Sequence, residues 1–216
     1  MAIEKTLLSA DIEQLDKQFR TNFINSLTGF KSVALIGTQN AEGATNLAIF
    51  SQIIHVGANP PLLGILFRPH TVPRHTLENI LHTQTFTINH IDESFVGQAH
   101  HTSARWDISE FTACGFSPYY SNNMAAPYVQ QAKIKMGLAF VERKDIEINQ
   151  TVLIVGQIVE VILPEDLIAG DGFVDLELAG SVTCSGLDSY HKTSRIARFE
   201  YAKPDHPPKK VPADRN

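Results

Sequence analysis

Apolar residues at Ile12, Leu15, Phe19, Phe23, Ile24 and Leu27 recur close to the helical period, so residues 10–28 read as one amphipathic helix. Ser9 or Asp11 can cap its start, and Gly29 stops it. From residue 32 the rhythm shortens. Residues 32–38 and 44–56 are β-rich runs around the turn 39–43, which predicts a hairpin. Pro60 and Pro61 fix the entry into a third run, 62–67, but cannot donate ladder bonds. A short helix over 75–81 leads to a fourth strand, 85–91.

The pattern breaks from Asp92 to Ile134, where Gly, Pro, Asn and Ser mix with aromatics. An insert of that length is usually functional or mobile, and it is expected as short helices covering a site. Strand character returns at 138–143 and most clearly at 152–163, with a short strand possible at 146–148 and a turn or single helical turn at 164–169. A last apolar stretch, 196–201, precedes Pro204, Pro207, Pro208 and Pro212. Residues 1–204 are therefore expected as one domain and 205–216 as a Pro-rich disordered tail. Short strands joined by hairpins predict a mainly β protein with peripheral α-helices, an antiparallel barrel rather than a doubly wound sheet. Neither GxGxxG nor GxxxxGK[ST] is present.

Composition narrows the function classes. The 216 residues are 43% hydrophobic, enough for one large core, with a formal charge of −5. Without a basic run in the folded part, nucleic acid is not an expected partner. No apolar stretch approaches bilayer length and no signal pattern opens the chain, so a cytoplasmic protein without a membrane partner is expected. Cys114 and Cys184 lack CxxC partners and read as buried or neutral thiols. The adjacent His100 and His101 cannot form an i, i+4 metal pair, and no HExxH occurs, so no metal site is expected.

The candidate chemistry lies between Asn46 and Asn89, where three polar turns separate apolar runs. Arg74, His75 and Thr76 offer a fixed charge, an imidazole N–H and a hydroxyl to one anion, suited to a phosphate monoester. The helix starting there adds free N–H groups, although a solvated helix start would use the same residues.

In order and spacing these features resemble the flavin-reductase-like, FMN-binding split-barrel family, including its flavoredoxin-type members, over roughly residues 31–204. The resemblance rests on Gly43, Asn46, Ser51 and Asn59-Pro60-Pro61. It rests also on the stretch from Arg74 to Ile80, the strand Phe86 to Asn89, Thr102-Ser103 with Ser109-Glu110-Phe111 and Gly115, and the segments around Tyr190 and Phe199. It implies a Greek-key, six-stranded split β-barrel with flanking helices, forming a homodimer with FMN near the subunit interface. The chain departs from many reductase members at Ile49 and Gln52 and lacks their Gly-Asp-Arg-Phe segment, a departure that bears on NAD(P)H-dependent activity more than on FMN binding.

The resemblance gives each candidate a role. Arg74, His75 and Thr76 would hold the FMN phosphate. Ala48, Ile49, Phe50 and Ser51 would lie along the ring with backbone N–H donors, the alternative being an ordinary strand, and Asn46 before them would also contact the cofactor. Asn89 would border the site or cap a strand end, Ser103 would belong to the covering insert, and the His191 imidazole and the Tyr190 phenol before it would edge the flavin or a nicotinamide or stand on the surface. Trp106, Phe111, Phe116, Tyr119 and Tyr120 would shield the ring or pack the insert onto the barrel. The expected function is an FMN-binding oxidoreductase: an NAD(P)H-dependent flavin reductase or a flavoredoxin-like electron carrier with a redox partner protein. The alternative is a non-catalytic flavin-binding store or sensor.

Overall fold

The computed structural model describes residues 3–211. Where the periodicity predicts one helix, two form: α1 (Ser9–Glu13) and α2 (Lys17–Leu27). Asp16 causes the break. Its carboxylate accepts the N–H groups of Gln18 at 2.9 Å and Phe19 at 3.1 Å and so caps a fresh helix. Gly29, at φ 77°, then turns the chain away. Neither helix buries a single residue.

The strands that follow are β1 (Lys31–Ser32), β2 (Ala34–Gln39), β3 (Thr45–Phe50), β4 (Ile53–Ala58), β5 (Pro61–Phe67) and β6 (Thr85–His90), with helix α3 (His75–Thr83) before β6. The insert carries α4 (Val96–His101), α5 (Glu110–Ala113), β7 (Pro118–Tyr119) and β8 (Tyr128–Val129). After it come β9 (Lys135–Ile146), β10 (Thr151–Ile162), a 3-10 turn at Glu165–Leu167, β11 (Thr183–Ser185) and β12 (Ser189–His191).

Seven antiparallel strands form one sheet in the order β3-β2-β6-β9-β10-β5-β4. The first and last of these are consecutive in the chain, separated only by Ser51 and Gln52. Two residues span at most about 11 Å, so the sheet's edges must meet at that corner and the sheet curls into a barrel. Ser32 Oγ donates to Ile53 O at 3.0 Å, and the Leu66 N–H to Gln52 O at 3.0 Å, holding the corner. No β3–β4 ladder forms among the described residues, and the barrel is split along that seam. The resemblance implied six strands. The count is seven because the apolar run 44–56, expected as one strand, breaks at Ser51 and Gln52 to turn the corner.

Two cores share β2. Ala34 and Ile36 point into the barrel with Ile65, Phe86, Ile88 and Leu138, and α3 adds Leu77 and Ile80. Val33 and Leu35 point outward, under Phe95, Phe111, Phe116 and Val129 of the insert. The insert lies tightly enough that a Cβ on Gly37 would stand 2.1 Å from Pro127 O. The Asn89 side chain locks this layer. It donates to Leu35 O at 3.1 Å and Thr87 Oγ1 at 2.9 Å and accepts the Val129 N–H at 2.9 Å.

At the C-terminal end the chain doubles back. Residues 205–211, expected to be disordered, return to pair with 198–200: Glu200 N–H donates to Lys209 O at 2.9 Å and Val211 N–H to Arg198 O at 3.0 Å. Arg198 pairs with Asp171 at 2.6 Å and lies 4.0 Å over the Phe173 ring, and Arg195 pairs with Asp175. Residues 212–216 of that tail lie outside the described residues. Among the described residues no helix is long and apolar enough to cross a membrane.

Candidate functional site

A cleft of about 520 Å³ opens beside β3, within the range of small-molecule sites. Its floor is Asn46, Ala48, Ile49, Phe50 and Ser51. As an edge strand, β3 leaves one side of its backbone unpaired. The Leu47 N–H points to that side, where it donates to Glu110 Oε2 at 3.0 Å. Backbone groups alternate along a strand, so the Ile49 N–H and C=O face the same way and present a donor and an acceptor side by side.

One rim is cationic. Arg68, Pro73, Arg74, His75 and Thr76 line it where β5 runs out and α3 begins. Arg74 is the N-cap of α3, and its own N–H is taken by Glu78 Oε1 at 3.0 Å, leaving the next N–H groups of the helix start for a ligand. That bond is the chief reason the Glu78 carboxyl titrates below its ordinary range; burial opposes it, and His70, at 2.7 Å from Glu78, helps. Among the described residues, the Arg74 guanidinium is oriented by long bonds to Pro69 O at 3.3 and 3.4 Å. Thr76 is buried, and its Oγ1 accepts from Asn46 Nδ2 at 3.0 Å, which frees its hydroxyl proton for an anion. Asn46 also donates to Thr38 Oγ1 at 3.2 Å, and Asn79 to the same oxygen at 3.1 Å. This small network ties floor to rim.

The opposite wall comes from α4 and the small β1-β11-β12 sheet: His100, Thr102, Ser103, Cys184, Leu187 and Tyr190. Tyr190 OH and His100 Nδ1 lie 2.7 Å apart. Burial first, then Cys184 and Asp188, push the Tyr190 phenol up to about 12, so it is a neutral hydrogen-bonding group at ordinary pH. Burial likewise raises the Cys184 thiol and keeps it protonated.

Of the residues singled out from sequence, Asn46, Ala48, Ile49, Phe50, Ser51, Arg74, His75, Thr76 and Ser103 share the cleft. Asn89 does not line it, being spent on the lock between β6 and β8. His191 also lies off it, with Nε2 at 2.8 Å from Ser185 Oγ and its ring against Phe30. The reason is strand alternation: Tyr190 pairs with Cys184 on the cleft face, which turns His191 to the other. The five aromatics of the insert do not line the cleft either; Phe111 and Phe116 are buried in the outer core. Sequence reasoning left out Arg68, Glu110 and His100 as site residues, although Arg68 and Glu110 stand inside stretches it had marked; of the pair Tyr190 and His191, it is the Tyr190 phenol that lines the cleft.

An antiparallel split barrel carries an open-edge cleft with a cationic helix start at its rim. Residues 30–176 match the flavin reductase like domain, and the chain belongs to that family. A split-barrel-domain protein of Shewanella frigidimarina NCIMB 400 is 45% identical, with a TM-score of 0.89 covering 92% of this chain and all of that one. The 2-nitrobenzoate 2-nitroreductase NbaA of Pseudomonas fluorescens is 25% identical, with a TM-score of 0.78 over 95% of this chain and 99% of that one. YwrF of Bacillus subtilis, an uncharacterized protein, is 26% identical over 80% of this chain and 83% of its own length.

Proposed function

We propose that the cleft holds FMN and that the protein is an FMN-dependent oxidoreductase, either an NAD(P)H-dependent flavin reductase or a flavoredoxin-like electron carrier. One observation carries the reading: a single cleft joins a cationic helix start to an unpaired strand edge, at a volume suited to a ligand with a phosphate at one end and a flat polar ring at the other.

The residues fit that ligand in three ways. Arg74, Arg68 and the N–H groups at the start of α3 take the phosphate, with His75 and the Thr76 hydroxyl beside them. Ala48, Ile49 and Phe50 give the ring an apolar bed, and the Ile49 N–H and C=O meet its polar edge. Tyr190, hydrogen-bonded to His100, closes the far wall. A bound flavin supplies the redox chemistry, accepting a hydride from NAD(P)H or electrons from a protein donor. The polypeptide binds, orients and limits water access, and hydride transfer requires no acid or base from it, so none is assigned. A homodimer with the flavin near its interface, a redox partner protein and a cytoplasmic setting complete the reading.

The test is a visible absorption spectrum of purified, flavin-loaded protein under anaerobic conditions, before and after NADH and then NADPH. Bleaching by one nucleotide establishes a reductase and its donor. A bound flavin that neither bleaches points to a carrier or to a non-catalytic binding protein, and failure to take up FMN at all refutes the proposal.

A further inference from the structure

Between the cationic rim and the apolar bed lies a stretch of cleft with a chemistry of its own. It is centred on Leu47, which follows Asn46, tied to Thr76 on the rim, and precedes Ala48, where the bed begins. Asn46 and Ile49 are three residues apart on an extended strand, a span of about 10 Å. A short chain that links a ring to a phosphate must cross that span.

The polar groups here differ in kind from those at the rim. Glu110 lines the cleft, and its Oε2 accepts the Leu47 N–H at 3.0 Å. Among the described residues its carboxylate has no other hydrogen bond and no ion pair, which leaves Oε1 as an open acceptor. Both neighbours of Glu110 are anchored, Ser109 Oγ at 2.7 Å from Thr45 Oγ1 and Phe111 buried in the outer core, so the carboxylate is held at the strand edge. Across the cleft, Thr102 and Ser103 spend their hydroxyl protons on their own helix. Thr102 Oγ1 donates to Ala99 O at 2.8 Å and Ser103 Oγ to His100 O at 2.7 Å, and both oxygens are left as acceptors. The rim thus offers donors and positive charge, while the middle of the cleft offers acceptors and a negative one.

An apolar linker crossing this stretch would leave those acceptors without donors, and a second anion would meet the Glu110 charge. A linker bearing hydroxyl groups satisfies them, through charge-assisted O–H···O bonds to the carboxylate. We infer that Glu110 selects the linker of the ligand: its open oxygen accepts from the hydroxyl groups of a polyol chain, in FMN the ribityl chain, with Thr102 and Ser103 as weaker acceptors opposite. This rests on the flavin reading above and adds that the chain between ring and phosphate is itself recognised. Glu110 is a binding residue in this role and takes no part in electron transfer.

Fluorescence titrations of the full chain with three ligands test it, on wild type and Glu110→Gln at one ionic strength: FMN, riboflavin, which keeps the chain without the phosphate, and lumiflavin, which has a methyl group in place of the chain. Glutamine keeps the size and an oxygen for the Leu47 N–H, but sets an amide donor where the open acceptor stood. FMN and riboflavin are each expected to bind the variant about tenfold or more weakly, and lumiflavin to stay within about twofold. Equal losses for all three ligands would show that Glu110 only holds α5 to β3, and a loss confined to FMN would place it at the phosphate. Either result, or unaltered binding of FMN and riboflavin, overturns the inference while the flavin reading stands. A wild type that binds no flavin overturns both. Should the variant fail to fold, the wild type decides alone: riboflavin is expected to bind about tenfold or more tightly than lumiflavin, and equal affinities overturn the inference.

Discussion

Replacing Arg74 by alanine isolates the phosphate end of the cleft. Among the described residues the guanidinium's hydrogen bonds are the two long ones to Pro69 O at 3.3 and 3.4 Å, and the α3 cap is made by the Arg74 backbone, which the substitution keeps. The loss of folding stability is therefore expected below about 1 kcal/mol. A ligand phosphate loses one charge-assisted hydrogen bond, worth about 1.5–3 kcal/mol, or roughly a 10- to 150-fold weaker dissociation constant. Arg68 and the helix N–H groups remain, which places the expected effect nearer the lower end. Flavin fluorescence titrations at fixed ionic strength measure it, with riboflavin as the control because it carries the ring without the phosphate. FMN affinity is expected to fall while riboflavin affinity stays within about twofold. Unaltered FMN affinity in a folded variant, or equal losses for both ligands, would refute the assignment of this rim to the phosphate.

Three further outcomes follow from the packing. His90 is half-buried, with Nδ1 at 3.1 Å from Ser181 Oγ, and burial lowers its pKa from 6.5 to about 4. Between those values the unfolded chain takes up a proton that the folded chain refuses, so stability falls as the pH drops from 6.5 towards 4, by up to about 3 kcal/mol; carboxylates such as Glu78 add their own loss near the acid end, so urea unfolding across that range should show a shallower slope in His90→Gln than in the wild type, and equal slopes would refute the assignment. Gly37→Ala places a Cβ 2.1 Å from a backbone oxygen and is expected to cost about 3 kcal/mol or more in urea unfolding, a loss under 1 kcal/mol contradicting the close contact. Asn46→Ala removes the donors to Thr38 and Thr76, and is expected to lower stability by about 1–3 kcal/mol in thermal melts and to weaken FMN binding; an unchanged melting temperature would show the network to be dispensable.

Much of the cleft's lining was legible because it is local in sequence. Arg74, His75 and Thr76 are adjacent at a helix start, and Asn46 to Ser51 is one short strand, so spacing alone groups them. What the sequence hid depends on which way a side chain turns or on pairing across long separations. Tyr190 and His191 are neighbours in the chain, yet only the pairing of Tyr190 with Cys184 decides which one reaches the cleft. Asn89 looks like a site residue until the insert folds back and Val129 takes its oxygen, a contact 40 residues away. The corner at Ser51 and Gln52 carries no glycine or proline, and nothing in an apolar run announces that its two halves form opposite edges of a barrel. Asp16 was readable as a cap in principle, but the helical period of its apolar neighbours continues through it.

The most direct test of the account is a crystal structure of the protein with FMN. The phosphate is expected within hydrogen-bonding distance of Arg74 and the first N–H groups of α3, with the ring along Ala48 to Phe50 and its polar edge on the Ile49 backbone. FMN bound away from β3, or in this cleft with its phosphate at the Tyr190 wall, would contradict the account.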